Sequence, residues 1–484
     1  MAAVHDHGPA RLSSSICSFE LQSPSPEANK PRIGHLSFQD RVPIETPHYV
    51  AVSSRGAVPH LSQDMMRGNT RINAMYAAIE DFIEKATHQS QTPPVFNFPA
   101  APHESPLRKF IALQKSALLI LGPRRIPPLP CPASSTHSAI SIVTALGYGM
   151  LEYTDYIEAV QKLRPDIVLG MGDVLFGHKP GFKRRDMMGD RTLAWMKGLV
   201  EGMTDEENGT PRTALFAPIL PIEAEQQSYY LDALKDELSD HISGLVLYDI
   251  ASIDAISPTL HHLPRLSLAP ISTPHDLLNA ISLGHDIFAI PFITSASDAG
   301  IALSFSFPSP TQDPNTPTAL PLGIDMWSPT HATSLSPLSP NCTCYTCTHH
   351  HRAYIQHLLN AKEMLGWVLL QLHNHHIIDE FFAGVRTSIK QNSFQETRTA
   401  FHKLYTAELP EKTGQGPRVR GYQFKSEKSE PRRNPPAYRA LDHGKEKLDD
   451  AKEKLAEAEK LSLSVDAGDL EERGSGEGLG EKVD

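Results

Sequence analysis

Three cysteines fall within six residues, and histidines crowd in behind them: NCTCYTCTHHHRAYIQHLLNAKEMLGWVLLQLHNHH, residues 341–376. The spacing is Cys342-x-Cys344-x-x-Cys347. A disulfide would use two of these thiols and strand the third. A zinc ion uses all three and asks for one more nitrogen or sulfur to close a tetrahedron. Soft thiolates with an imidazole favour zinc over magnesium or calcium. His349, His350 and His351 follow too closely to fold back easily, although one of them remains an alternative. His373 lies beside the apolar stripe Leu365, Val368, Leu369 and Leu372 of a long helical segment, and is the expected fourth ligand. Four protein ligands leave no open position, so the site is expected to be structural, with one zinc per chain. The competing reading is a redox cysteine cluster beside a surface histidine. Asn360 and Glu363 read as the N-cap and capping-box partner of the long helix.

The elements that must carry this cluster are strand–helix alternations. Short apolar runs recur at 166–171 (DIVLGM), 214–220 (ALFAPIL), 244–250 (GLVLYDI), 265–271 (RLSLAPI) and 287–292 (IFAIPF). Continuous hydrophobicity of this kind suits strands covered on both faces. Helix-like segments lie between them. One is 228–238 (SYYLDALKDEL); another follows Thr273-Pro274, a good N-cap and first helical residue. The alternation predicts a parallel α/β fold, a barrel or a doubly wound sheet. No GxGxxG or Walker loop follows a strand, which argues against a nucleotide-binding fold.

With 484 residues and 40% hydrophobic content, the chain can bury a sizeable core. Cys17 and Cys131 are far apart, and five cysteines in all fit a reducing compartment better than a disulfide framework. No secretory signal or roughly 20-residue apolar span is evident, so a cytoplasmic location is expected. The net charge of −11 is uneven. Residues 441–484 hold 14 acidic and 7 basic residues, whereas 418–439 hold 7 basic and 2 acidic. The basic strip is a modest candidate for phosphate contacts, against a plain solvated linker. Residues 1–16 read as disordered and 17–405 as globular. Residues 305–340 read as an irregular insertion, and 406–484 as a low-complexity tail with an exposed helix at 442–463.

CxCxxC followed by His373 in this helical setting resembles the zinc subdomain (about 340–390) of tRNA-guanine transglycosylases, TIM (β/α)8 barrels that exchange a guanine in the tRNA anticodon. Three other segments are similar to that family: "RLSLAPISTPHDLLNAISLGHDIFA", "RPDIVLGMGDV" and "IETPHYVAVSSRGAVPHLSQDMM". The resemblance covers about 17–405 and implies a TIM barrel with an inserted zinc subdomain. The departures are as informative as the matches. The family's nucleophilic aspartate aligns with Ala289, and a methyl group cannot capture a ribose carbon. Its base-reading aspartate aligns with Gly172. Its Gln-Gly-Gly is replaced by Leu220-Pro221-Ile222, and the "PTR" after Phe292 is missing.

"SSRGAVPHL", "GIALSFSF" and "NCTCYTCTHHHRAYIQHLL" resemble the family's non-catalytic accessory branch in eukaryotes. That implies a heterodimer with the catalytic subunit of queuine tRNA-ribosyltransferase, contact with tRNA through the complex, and support for exchange of guanine for queuine at the wobble position. It also implies a cytoplasmic protein with peripheral association with the mitochondrial outer membrane. No catalytic or cofactor-binding residue is expected beyond the zinc ligands. Two alternatives compete: an active transglycosylase with Asp286 or Asp173 as a displaced nucleophile, and a zinc-stabilised scaffold unrelated to tRNA modification. Lys183, Arg184 and Arg185 are candidate tRNA backbone contacts, weighed equally against a solvated helix start.

Overall fold

The computed structural model describes residues 16–417 apart from 23–28, 84–92, 102–103, 132–134, 145–146, 178, 205–212 and 311–318. Residues 1–15 and 418–484, with the expected terminal disorder and the helix at 442–463, lie outside the described residues.

Three antiparallel strands come first: β1 (Cys17–Leu21), β2 (Gly34–Phe38) and β3 (Ile44–Thr46). The barrel strands follow as β4 (His48–Val52), β5 (Ala74–Ala78) and β6 (Leu118–Gly122). A hairpin of β7 (Ala139–Thr144) and β8 (Gly147–Glu152) interrupts them. The barrel then continues with β9 (Ile167–Leu169), β10 (Ala214–Ile219), β11 (Gly244–Leu247), β12 (Arg265–Ser267) and β13 (Ile287–Ala289). All eight barrel strands pair in parallel and close, with β13 against β4. A last antiparallel pair, β14 (Ile301–Leu303) and β15 (Gly323–Asp325), lies outside the barrel. Of this pair, β15 is regular structure within the segment read as irregular, 305–340.

The helices, in chain order, are α1 (Gln63–Asn69), α2 (Pro106–Phe110), α3 (Tyr153–Leu163), α4 (Phe182–Thr204), α5 (Ser228–Asp236) and α6 (Pro274–Ser282). They are followed by α7 (Phe292–Ala299), α8 (Tyr345–His349), α9 (Arg352–Asn360), α10 (Met364–Lys390) and α11 (Phe394–Leu404). The start of α6 is as expected: Thr273 and Asp276 form a capping box around Pro274. The start of α10 is not. Asn360 ends α9, the chain turns through Lys362 at φ 58°, and Glu363 caps α10 without a side-chain bond. A turn between two helices carries the same Asn and Glu signature as one long helix start.

Side chains alternate along each barrel strand. Ile287, Val246, Leu266 and Phe216 point into the lumen, where they pack with Leu36, Phe38 and Ile44 of the N-terminal sheet. Phe288, Leu247 and Leu245 point out to the helical layer. The N-terminal sheet therefore closes one end of the barrel. Two arginines from it fasten the closure. Arg32 chelates Asp286, and Arg41 chelates Asp166 at 3.0 and 2.8 Å.

The chain after α11 stays on the surface of this body. Leu320 and Tyr405 bridge in parallel, Thr413 donates to Asp325 at 2.6 Å, and Gly414 and Gly300 sit on the indole of Trp327. A Cβ at Gly414 would lie 2.1 Å from a ring atom.

Candidate metal centre and a filled barrel mouth

The four sequence-derived ligands come together. Cys342, Cys344, Cys347 and His373 place their donor atoms within 4.8 Å of one another. Cys344 caps α8, with its sulfur accepting from the Cys347 amide at 3.3 Å. Thr346 pins α8 to α10 by donating to Leu369 O at 2.6 Å. His373 is fully buried on α10. Its Nε2 bonds Leu303 O at 2.8 Å, which leaves the Nδ1 lone pair facing the sulfurs.

The Nδ1-to-sulfur distances are 3.7, 3.5 and 3.4 Å. A tetrahedral ion bound at about 2.3 Å to sulfur and about 2.0 Å to nitrogen separates each such pair by roughly 3.5 Å. The set can therefore hold a metal ion without rearrangement. Burial opposes a charge on His373, but the Cys342 and Cys347 sulfurs outweigh it and raise its pKa to about 9. A bound cation competes with that proton for the same lone pair. His349 and His351 are engaged elsewhere, in bonds to Tyr345 O and Tyr354 N.

Asn374 escaped the reading of the sequence. It accepts from Leu303 N at 2.8 Å and donates to Ser297 and Ile301 O at 2.9 and 3.0 Å. With His373 it locks α10 against β14. Its only sequence signal was its place beside the ligand.

The C-terminal end of the barrel strands, where catalytic groups of this fold gather, is filled. Tyr76 fills the lumen so closely that a Cβ on Gly122 would meet its hydroxyl at 2.0 Å. That hydroxyl bonds Arg124 O. The Arg124 guanidinium lies 5.2 Å over the Phe176 ring and donates to Ser141 O and Val174 O at 3.0 and 2.8 Å. About 20 Å³ remains between Tyr76, Arg124, Phe176, Gly172, Tyr248 and Leu268. Binding pockets for small molecules occupy about 300–1,000 Å³.

Ala289, at the C-terminal end of β13, shares the parity of lumen-facing Ile287 and is 1% exposed. Neither displaced carboxylate is placed to substitute. Asp286 lies before β13, at the opposite end of the strand from Ala289, held by Arg32 and the Arg265 amide. It is at a strand end, as expected, but at the wrong one. Asp173 follows β9 on the correct side, yet is fully buried between Arg184 and Arg191. Arg184 is thereby committed to an internal ion pair. Of the three candidate RNA contacts, Lys183 is exposed and Arg185 half-buried. No helix among the described residues is long and apolar enough to cross a membrane.

Comparison with known proteins agrees with this architecture. Residues 27–407 match the family model described as queuine tRNA-ribosyltransferase. A queuine tRNA-ribosyltransferase accessory subunit 2 from Schizosaccharomyces pombe is 34% identical over 410 residues, covering 84% of this chain and 89% of that protein. Proteins of the same name from Anopheles gambiae (24% over 387 residues, 76% and 86% covered) and Drosophila persimilis (26% over 388 residues, 76% and 88% covered) are also similar. The closed parallel barrel, the convergent Cys3His cluster and the extent of these matches lead to one conclusion: the chain belongs to the queuine tRNA-ribosyltransferase family.

Proposed function

We propose that this chain is the non-catalytic accessory subunit of a queuine tRNA-ribosyltransferase. It pairs with a catalytic transglycosylase and supports replacement of guanine by queuine at the wobble position of tRNA, in the cytoplasm. The observation that carries the reading is Ala289, facing the lumen where the chemistry of this fold is done, with both candidate replacement carboxylates locked into arginine pairs. The filled barrel mouth and the accessory-subunit name of the relatives support it further. Cys342, Cys344, Cys347 and His373 would hold one zinc ion, a closed and structural site that joins α8 to α10.

The test is base exchange on cognate tRNA with labelled guanine or queuine. The purified chain alone should incorporate nothing above background, and adding it to the catalytic subunit should raise turnover. Ala289→Asp should not create activity, because the base-reading position is Gly172 and Leu220-Pro221-Ile222 stands where the family has Gln-Gly-Gly. Turnover by the single chain, or a partner equally active without it, refutes the reading.

A further inference from the structure

Six carboxylates are buried among the described residues: Glu80, Asp81, Asp166, Asp173, Asp286 and Asp379. Five are paired with arginine. Arg125 serves Glu80 and Asp81, Arg41 and Arg108 serve Asp166, Arg184 and Arg191 serve Asp173, and Arg32 serves Asp286. Asp379, 6% exposed, has no ion pair of this kind. It lines an open cleft of about 380 Å³ at the junction between barrel and metal centre. One wall is the end of α1 (Asn69 to Arg71), the other α8 with its approach (Thr343, Cys344, Thr348). The Tyr49 hydroxyl lies close to the carboxyl and bonds His375 Nδ1 at 3.1 Å. Arg71 and Arg386 act on Asp379 through their charge without forming an ion pair with it; Arg71 is exposed and engaged by Glu380 at 2.7 Å, and Arg386 by Glu45 at 3.3 Å. Desolvation raises the Asp379 pKa to about 7, against the lowering pull of Arg71, Tyr49 and His376, which lines the same cleft.

A buried carboxylate without its cation costs stability. A fold that neutralises every other one with arginine has left this one open toward solvent. We propose that Asp379 receives a lysine or arginine side chain of the catalytic partner, inserted between the end of α1 and the metal-bearing α8. This rests on the pairing proposed above and names its chemistry. A phosphate would meet the Asp379 carboxyl as well as Arg71, His349 and His376 in this cleft, and Arg71 is already held by Glu380. A metal ion is poorly served too, because Cys342, Cys344, Cys347 and His373 are the only described group whose donors converge. The remaining cleft donors include the hydroxyls of Thr70, Thr343 and Thr348, neutral acceptors that suit an ammonium or guanidinium. Because Cys344 lines the same cleft, a loaded metal centre fixes one wall of the receptor.

The experiment measures association of the full-length, metal-loaded chain with the purified catalytic subunit by titration calorimetry, alongside the melting temperature of the chain alone. Asp379→Asn should weaken association by about tenfold or more while leaving the isolated chain as stable as before, or more so. Asn69→Lys, which offers the carboxylate a cation from within the chain, should weaken association similarly. Carbodiimide treatment of the wild-type complex should join Asp379 to a partner lysine if lysine is the occupant. Undiminished association of both variants overturns the proposal while the heterodimer stands. Unchanged association with a lowered melting temperature for Asp379→Asn makes the carboxylate a stabilising group and overturns it as well. Failure of the wild-type chain to bind the partner overturns the pairing itself, and this inference with it.

Discussion

The sharpest perturbation is Asp286→Asn, because it separates a structural carboxylate from a displaced nucleophile. Asp286 is completely buried. It accepts from Arg32 Nε at 2.8 Å, from Arg32 Nη2, and from the Arg265 amide at 2.8 Å. The Arg32 guanidinium also donates to His261 O and Leu263 O, so it cannot swing into water without breaking those bonds. Removing the negative charge leaves a buried cation without its counter-charge, a change that costs about 3–5 kcal/mol. For a cooperative unit of about 400 residues, with an unfolding entropy near 2.1 cal/mol/K per residue, that corresponds to a fall in Tm of roughly 5 °C. The double variant Arg32→Met, Asp286→Asn should cost less than the sum of the singles, since it removes the stranded cation. Calorimetric melting of the isolated chain reads the stability. Exchange assays of the complex, normalised to folded protein, read the function. A structural carboxylate lowers Tm and leaves support of the partner intact. An unchanged Tm with abolished exchange refutes this reasoning and returns Asp286 to the chemistry.

Three further outcomes follow from the same geometry. Cys344→Ser and His373→Ala should each lower metal content by elemental analysis and lower thermal stability with it; full zinc retention in a Cys342, Cys344 and Cys347 triple substitution refutes the assignment. Gly414→Val should destabilise by about 1–3 kcal/mol, because its Cβ would press into Trp327, and a chain ending at 404 should melt lower than one ending at 417; equal melting of the two would mean the strap adds nothing. His285 is buried and its pKa is lowered to about 4 by desolvation, ahead of opposing effects from Ile250 O and Asp286. Its contribution is fully present above the unfolded value of about 6.5 and is lost as pH falls toward 4, up to about 3 kcal/mol; His285→Gln should flatten the stability profile across that window.

How much of this was legible in sequence depended on whether the signal was local. The cysteine spacing is local for three of the four converging donors, and the fourth, His373, sits on a helix face that periodicity can place. The barrel strands were legible as apolar runs because both faces of each are covered, and Thr273-Pro274 announced α6 through its own chemistry. What failed depends on partners distant in sequence. A barrel strand has a chemical end and a closed end, and Asp286 differs from Asp173 by which end it occupies. That is fixed by Arg32, 254 positions away, in a sheet that the sequence did not distinguish from the rest of the barrel. Arg184 looked like an RNA contact because its neighbours are basic. Its actual partner, Asp173, lies across a loop.

The same distinction bears on the proposed non-catalytic role. At the barrel mouth Tyr76, Arg124, Phe176 and Tyr248 pack together, with Arg124 bonded to two backbone carbonyls. Such filling favours a rigid body over a binding site, since a closed mouth exchanges desolvated, half-satisfied groups for packed ones. The metal centre kept all four converging donors and its supporting bonds from Leu303 and Asn374. Asp379, alone among the buried carboxylates of the described residues, forms no arginine ion pair. An interface that needs a rigid barrel, a fixed α8 and one waiting carboxylate accounts for all three. On the proposed pairing the metal centre is also a requirement for association, so chelation should dissociate the complex with the catalytic subunit before the barrel melts.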